Sequence, residues 1–283
     1  LGRRKLLTPH SAKVPMKLAE RNLGSLHVTV VPLQDAVSAV TDLAVETPGQ
    51  GHAVHFCNAF TLALADTNAS YSKVLNNGTF RFCDGMPLVW VGRKLYPDLG
   101  SAWERVYGPD VMSGVLSALN SRARTIRHYL LGASPQTMAR LVDRIGQSWP
   151  HATLAGFESP PFRAPTSPEL RERDEKIRLS GANIVWVGLG TPKQDYEAAR
   201  LAQSCGVVAI AVGAAFDFLA GTKAQAPAWL QSSGLEWAFR LAREPSRLWY
   251  RYAWGNSRFL YSVGRRQGLT AASRKLQGGG EAP

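Results

Sequence analysis

Cysteine is scarce in this 283-residue sequence: Cys57, Cys83 and Cys205 lie far apart, with no CxxC pair. That spacing excludes a disulfide framework and a standard zinc site, and it fits a reduced, cytoplasmic setting. The six histidines show no HExxH or HxH spacing. His52 and His55 flank a strand-like run, where a structural or surface role is expected. No stretch of about 18 apolar residues occurs, so no helix is expected to span a membrane. The basic cluster Arg3, Arg4, Lys5 is followed by no apolar segment of the kind a secretory signal requires. There is no internal repeat, and the terminal Gly278-Gly279-Gly280 with its last three residues reads as a frayed tail.

Acidic charge is lacking only at the two ends. The formal net charge is +12. Residues 1–24 carry six basic side chains against Glu20, and residues 237–275 carry nine against Glu244. The 212 residues between these segments hold 18 basic and 18 acidic groups. A neutral centre with two basic ends is not the pattern of a nucleic-acid-binding domain, which is basic throughout its face, so no nucleic-acid partner is expected.

The centre alternates short β-rich runs with helical patterns. Strands are expected at His52–Cys57, Thr79–Cys83, His128–Leu131, Ala152–Phe157, Asn183–Gly188 and Val207–Val212. Helices are expected at Ala59–Val74, 86–95, Gly114–Arg124, Pro135–Gln147, Pro168–Ser180 and Gln194–Ser204. NIVWVG and VVAIAV are apolar on both faces, which is how strands of a covered parallel sheet read. The expectation is an α/β fold: a Rossmann-like, mostly parallel sheet flanked by helices over 25–225, preceded by a basic extension (1–24). Ligands of such sheets sit beyond the carboxyl ends of the strands. The loops there carry Asn58, Asp84, Gly132 and Ser134, Gly188 and Gly190 with Gln194, and Asp217. Small residues let a ligand approach the backbone, and Ser134-Pro135 at a helix start suits an anion. Simple turn chemistry would explain any one of these loops alone.

Beyond 225 the texture changes. Residues 229–261 interleave nine aromatics with five arginines, and Pro227 and Pro245 can each open a helix. A helical appendage is expected over 226–265, with a flexible tail from 266. Two readings are open: aromatics packed on the core with arginines in water, or a docking helix pair for anionic lipid or a diphosphate.

Several motifs agree with one family. The run Val212–Tyr252, VGAAFDFLAGTKAQAPAWLQSSGLEWAFRLAREPSRLWYRY, resembles the C-terminal signature of the WecG/TagA/CpsF glycosyltransferases, glycosyltransferase family 26. Asn58-Ala59, DGMPLVW (84–90), ERVYGPD (104–110), LLGAS (130–134) and VGLGTPKQD (187–195) match in order, and the resemblance covers roughly 27–260. It implies an inverting, metal-independent transferase with no cofactor. The donor is a nucleoside-diphosphate sugar, expected to be a UDP-sugar of N-acetylmannosamine type or a related hexose or uronic acid. The acceptor is a polyprenyl-diphosphate-linked saccharide at the cytoplasmic face of a bacterial membrane, in the synthesis of a surface polysaccharide. Some relatives form homo-oligomers.

The resemblance makes Asp84 the base, although an Asx-turn or a cap on the 86–95 helix would also explain it. It places Arg105 at a phosphate, against the alternative of a surface Glu–Arg pair. Gln194 and Asn58 become sugar-binding amides, beside a solvent-facing Lys193. Asp217 would hold hydroxyls or cap the following turn. Arg240, Arg247 and Arg251 become cations of a tail that closes over the diphosphate and meets an anionic membrane surface. They would share a face only in an unbroken helix, and Pro245 argues for a break. Two departures stand out: Phe56 where many relatives carry Thr, and a short insertion around Tyr96–Ala102. A Rossmann-type oxidoreductase is the first alternative, but no GxGxxG opens the first strand-to-helix turn and no acidic residue follows about 20 positions later. A non-enzymatic membrane or nucleic-acid adaptor is the second, and it has no need of polar groups clustered at strand ends.

Overall fold

The structure is a computed structural model that describes residues 18–118 and 125–277; the side chains of 228, 232, 247 and 266–277 lie outside that description. The cluster Arg3, Arg4, Lys5, the end of the helix expected to reach Arg124, and the last six residues therefore fall outside the described residues.

Eight strands form one sheet in the order β1-β2-β4-β3-β8-β7-β5-β6. They are β1 (Ala19–Leu23), β2 (Leu26–Val30), β3 (His52–Cys57), β4 (Phe80–Cys83), β5 (Arg127–Gly132), β6 (Thr153–Glu158), β7 (Ile184–Gly188) and β8 (Val208–Ala211). All pairings are parallel except β1 with β2, a hairpin turned at Gly24. The fold is thus the α/β, Rossmann-like one expected. The opening hairpin was not anticipated: Ala19–Leu23, inside the basic segment 1–24, is an edge strand of the sheet.

The period-2 alternation of the strands sorts their side chains onto two faces. Val54, Phe56, Phe82, Leu130, Trp186 and Ile210 point to one face, where α1 (Leu33–Glu46), α5 (Gly108–Ser117), α6 (Pro135–Ser148) and α9 (Ala215–Leu219) cover them. On the other face Cys57, Cys83, Leu131, Val187 and Ala209 meet α2 (Ala59–Thr67), α3 (Ala69–Asn76), α4 (Met86–Leu95), α7 (Ser167–Ser180) and α8 (Lys193–Cys205). Parallel strands covered on both sides explain the unbroken apolar runs of the sequence.

Two helices differ from expectation, and the insertion takes a defined form. The run 59–74 is broken at Asn68, whose side chain caps α3 by accepting from the Tyr71 N–H. The helix expected from Gly114 begins at Gly108, with Pro109 in its first turn. The insertion around Tyr96–Ala102 is a 3-10 turn over Pro97–Ala102, and the Tyr96 ring stacks on buried Trp103.

After α9 the chain leaves the sheet and builds α10 (Ala228–Ser232), α11 (Glu236–Arg243) and α12 (Pro245–Gln277). Pro245 separates α11 from α12, so Arg240 lies on one helix and Arg247 and Arg251 on the next. The backbone of α12 stays helical past 265, to Gln277. The helix packs along α2: Gly255 sits against Phe60, Trp254 meets the Phe60 ring edge-on, and Leu248, Phe259 and Val263 are buried. Trp249, Tyr250, Leu260 and Tyr261 remain exposed on its outer side. Among the described residues, no helix is long and apolar enough to cross a membrane.

Candidate active site

The carboxyl ends of β3, β4, β5, β7 and β8 open into a cleft of about 1080 Å³. A smaller pocket of about 90 Å³ adjoins it, walled by α4, α11 and α12. Asn58, Asp84, Arg240 and Arg251 line both cavities. Asp84 therefore stands where the two spaces meet.

Asp84 follows β4, held by its backbone N–H on the Cys57 carbonyl at 2.8 Å. It does not cap its own helix, since Gly85 is the residue ahead of α4 and provides no side-chain cap. Its Oδ1 lies 3.4 Å from the Gly108 N–H at the start of α5. Burial pushes its pKa up to about 6, against the opposing pull of Arg105, while Glu236 pushes in the same direction as burial. A carboxylate tuned near neutrality is suited to take a proton from a hydroxyl.

Arg105 makes no pair with its neighbour Glu104, whose carboxylate accepts from the Leu33 N–H at the start of α1. Arg105 instead donates from Nε to the Asp84 carbonyl at 2.8 Å and from Nη2 to Glu236 Oε2 at 2.5 Å. Its guanidinium stacks 3.9 Å from the centre of the Tyr107 ring. Tyr107 donates its hydroxyl to Glu236 Oε1 at 3.2 Å, and Arg240 Nη1 lies 3.9 Å from the same oxygen. The Arg251 guanidinium covers the Phe60 ring at 4.6 Å. Three guanidiniums thus gather beside Asp84 and Glu236, with Asp110 near Arg105, and guanidiniums are suited to phosphate oxygens.

Asn58 caps α2: its Oδ1 accepts from the N–H groups of Phe60 and Thr61, which leaves its NH2 as the group it can offer a ligand. Gln194, only 4% exposed and bordering the cleft, donates to the Ala211 carbonyl, while its Oε1 is buried without a hydrogen-bond partner. Ser134 caps α6 by accepting from the Thr137 N–H and also lines the cleft. Gly188 and Gly190 form its floor. Gly132 is not part of the lining. Its φ is +133° and a Cβ there would come within 2.5 Å of the Gly188 carbonyl oxygen, so its place is a close strand-to-strand contact. Asp217 lines the cleft, but its carboxylate is engaged by Thr222 and by Lys223 at 3.2 Å, as the turn-capping alternative expects. The Lys193 side chain is exposed at the rim, 6.0 Å from the centre of the Phe162 ring. The side chain of Arg247 lies outside the described residues.

Phe56 is buried against Phe82 and borders the cleft with an apolar wall. His55 is fully buried on β3 and bonds Asp195, which also accepts from Tyr71. His52 lies between Thr47 and Thr79, so both histidines are structural. Among the described residues, no group of three or more His, Cys, Asp or Glu side chains is placed to hold a metal ion.

Sequence reasoning missed Glu236 and the far arm of the cleft. There Glu158, at the end of β6, accepts from Nε and Nη2 of Arg173, and Arg173 is braced in turn by Glu197. Phe162 stands fully exposed on the rim above. Glu236 was legible only as one residue of the GLEWAFRL run, with nothing local to show which side chains it meets. The sequence model of the Glycosyl transferase WecG/TagA/CpsF family matches residues 21–273, nearly the whole chain.

Proposed function

The chain belongs to the WecG/TagA/CpsF glycosyltransferase family, and from that premise we propose that it is an inverting hexosyltransferase acting on a lipid-linked acceptor. The observation that carries this reading is the position of Asp84, a carboxylate raised to about 6 at the junction of a large cleft and a small pocket, with Arg105, Arg240 and Arg251 around it. The donor, a nucleoside-diphosphate sugar such as a UDP-sugar of N-acetylmannosamine type or a uronic acid, occupies the large cleft. Its nucleoside lies toward Glu158 and Phe162, and its sugar meets the Asn58 NH2 beside Gln194. The acceptor hydroxyl enters from the side of the small pocket.

Asp84 takes the proton of that hydroxyl as its oxygen bonds to the anomeric carbon. The bond from that carbon to the diphosphate oxygen breaks on the opposite face, so the configuration inverts. The leaving diphosphate carries away the electron pair, and guanidiniums are suited to hold the negative charge that develops there. In this mechanism the cations are side chains, and no metal or cofactor takes part.

The acceptor class, a polyprenyl-diphosphate saccharide, is what the family resemblance implies, and the exposed aromatic and basic outer side of the appendage supports work at a lipid surface. Trp229, Trp249, Tyr250 and Tyr261 are rings of the kind that settle at a membrane interface, and a basic helix adds attraction to anionic lipid. The enzyme then works as a peripheral protein on the cytoplasmic face of the membrane. The test is incubation with a panel of UDP- and GDP-sugars and a polyprenyl-diphosphate glycan, following nucleotide release. Release that requires both partners supports the reading; no release from any donor by folded protein refutes it.

A further inference from the structure

Glu236 is a carboxylate in an unusual place. It is 8% exposed, it stands at the start of α11, and it faces the part of the site that would receive a diphosphate. Its two oxygens reach two groups of the segment ahead of α5 and one on its own helix: Arg105 Nη2 at 2.5 Å, the Tyr107 hydroxyl at 3.2 Å and Arg240 Nη1 at 3.9 Å. Arg105 is fixed on three sides. Nε is on the Asp84 carbonyl, Nη2 is on Glu236, and one face of the guanidinium lies on Tyr107. Nη1 is the remaining edge, and Arg105 lines the small pocket.

We propose that Glu236 is a positioning residue for the transfer reaction: it clamps Arg105 and Arg240 in the orientation that presents them to the diphosphate, and so couples docking of the C-terminal helices to the Asp84 centre. The proposal rests on the transferase reading above. A guanidinium on an unbranched stem loses several rotors' worth of freedom when it meets a phosphate. A carboxylate that has already fixed it removes that loss from the reaction. The opposite role, a carboxylate that competes with the diphosphate for the same two arginines, makes predictions of opposite sign.

The titratable and charged groups around Asp84 are Cys57 and Cys83 on the strands, Arg105 and Tyr107 ahead of α5, Asp110 in its first turn, Glu236 and Arg240 on α11, and Arg251 and Tyr252 on α12. Burial drives the Cys83 thiol up to about 12 and raises the Cys57 thiol and both tyrosines as well. Removing the Glu236 charge takes one negative neighbour from Asp84. That favours the Asp84 carboxylate and moves the acid limb of kcat/KM to lower pH.

The experiment compares wild type, Glu236→Gln and Glu236→Asp in the full chain. With a turned-over nucleotide sugar, Glu236→Gln should lower kcat about 10- to 100-fold and shift the acid limb down by about one pH unit. Glu236→Asp keeps the charge but is one methylene short, so kcat should fall while the limb stays in place. Hydrogen exchange of the 236–243 amides, which needs no substrate, should quicken in both variants. The proposal is overturned if Glu236→Gln keeps kcat within threefold of wild type with an unmoved limb. It is also overturned if KM for the nucleotide sugar drops, or if exchange in 236–243 matches wild type. Should Glu236→Gln fail to fold, Glu236→Asp still decides through kcat and exchange. Should the wild type transfer no sugar at all, the transferase reading fails, and exchange alone decides whether Glu236 anchors α11.

Discussion

Replacing Asp84 with Asn should give a protein that is more stable than wild type at neutral pH and has lost its activity. The side chain is partly buried, and its pKa rises from 3.8 to about 6, chiefly because burial penalises the charge. A carboxyl whose folded pKa lies above its unfolded one holds its proton more tightly in the fold. Its favourable contribution is complete below about pH 4 and is lost as the pH passes 6. Above that, the charged group costs the fold about two pH units at about 1.36 kcal/mol each, an upper figure of roughly 3 kcal/mol. Solvent in the cleft screens part of this, so about 1–3 kcal/mol is expected. Asparagine keeps the shape and an oxygen facing the Gly108 N–H, and it carries no charge to desolvate. Urea unfolding should therefore show the variant more stable at pH 7.5, with the gap closing toward pH 4.5, while nucleotide release falls by about 10²–10⁴-fold. A variant no more stable at pH 7.5, or a gap that widens as the pH falls, would refute the burial argument. Turnover within tenfold of wild type would remove Asp84 as the base.

Other consequences can be checked separately. Gly132→Ala puts a Cβ 2.5 Å from a backbone oxygen at φ +133°, and it should cost about 2–4 kcal/mol, read as a lowered melting temperature. Ser134→Ala loses a helix cap and should cost about 1 kcal/mol; a larger proportional loss in kcat/KM than in stability would show that the hydroxyl also meets substrate. Asp195→Ala leaves buried His55 and Tyr71 without their shared partner, and about 3 kcal/mol of destabilisation should appear in urea melts. Deleting 229–283 should weaken sedimentation with anionic vesicles, and undiminished binding would move the membrane contact elsewhere.

Much of the sheet was legible because its central strands are covered on both faces: IVWVG and VAIA are apolar at every position or nearly so. The β1 strand, AERNL, was not, because an exposed edge strand needs few apolar residues and AERNL alternates weakly. The helix at 33–46 was not read from the sequence either, although Ala36, Val37, Val40, Leu43 and Ala44 all lie on its buried side. The loops at the strand ends announced most of the cleft, since a parallel sheet collects them on one edge whatever their separation in sequence. What the sequence could not reveal was partnership. Arg105 stands beside Glu104, yet its carboxylate is Glu236, 131 residues away, and only the return of α11 over the sheet brings them together. The same holds for Gln194, whose NH2 is held by the Ala211 carbonyl while its oxygen is buried without a partner.

The most direct test of the central claim is the anomeric configuration of the product, read by NMR coupling constants after transfer from a nucleotide sugar of known configuration to a polyprenyl-diphosphate glycan. Single displacement with Asp84 as base predicts inversion at the anomeric carbon. Retention would contradict it, because a retained centre requires either two displacements or attack from the face the diphosphate leaves, and neither is the opposite-face attack that Asp84 would activate.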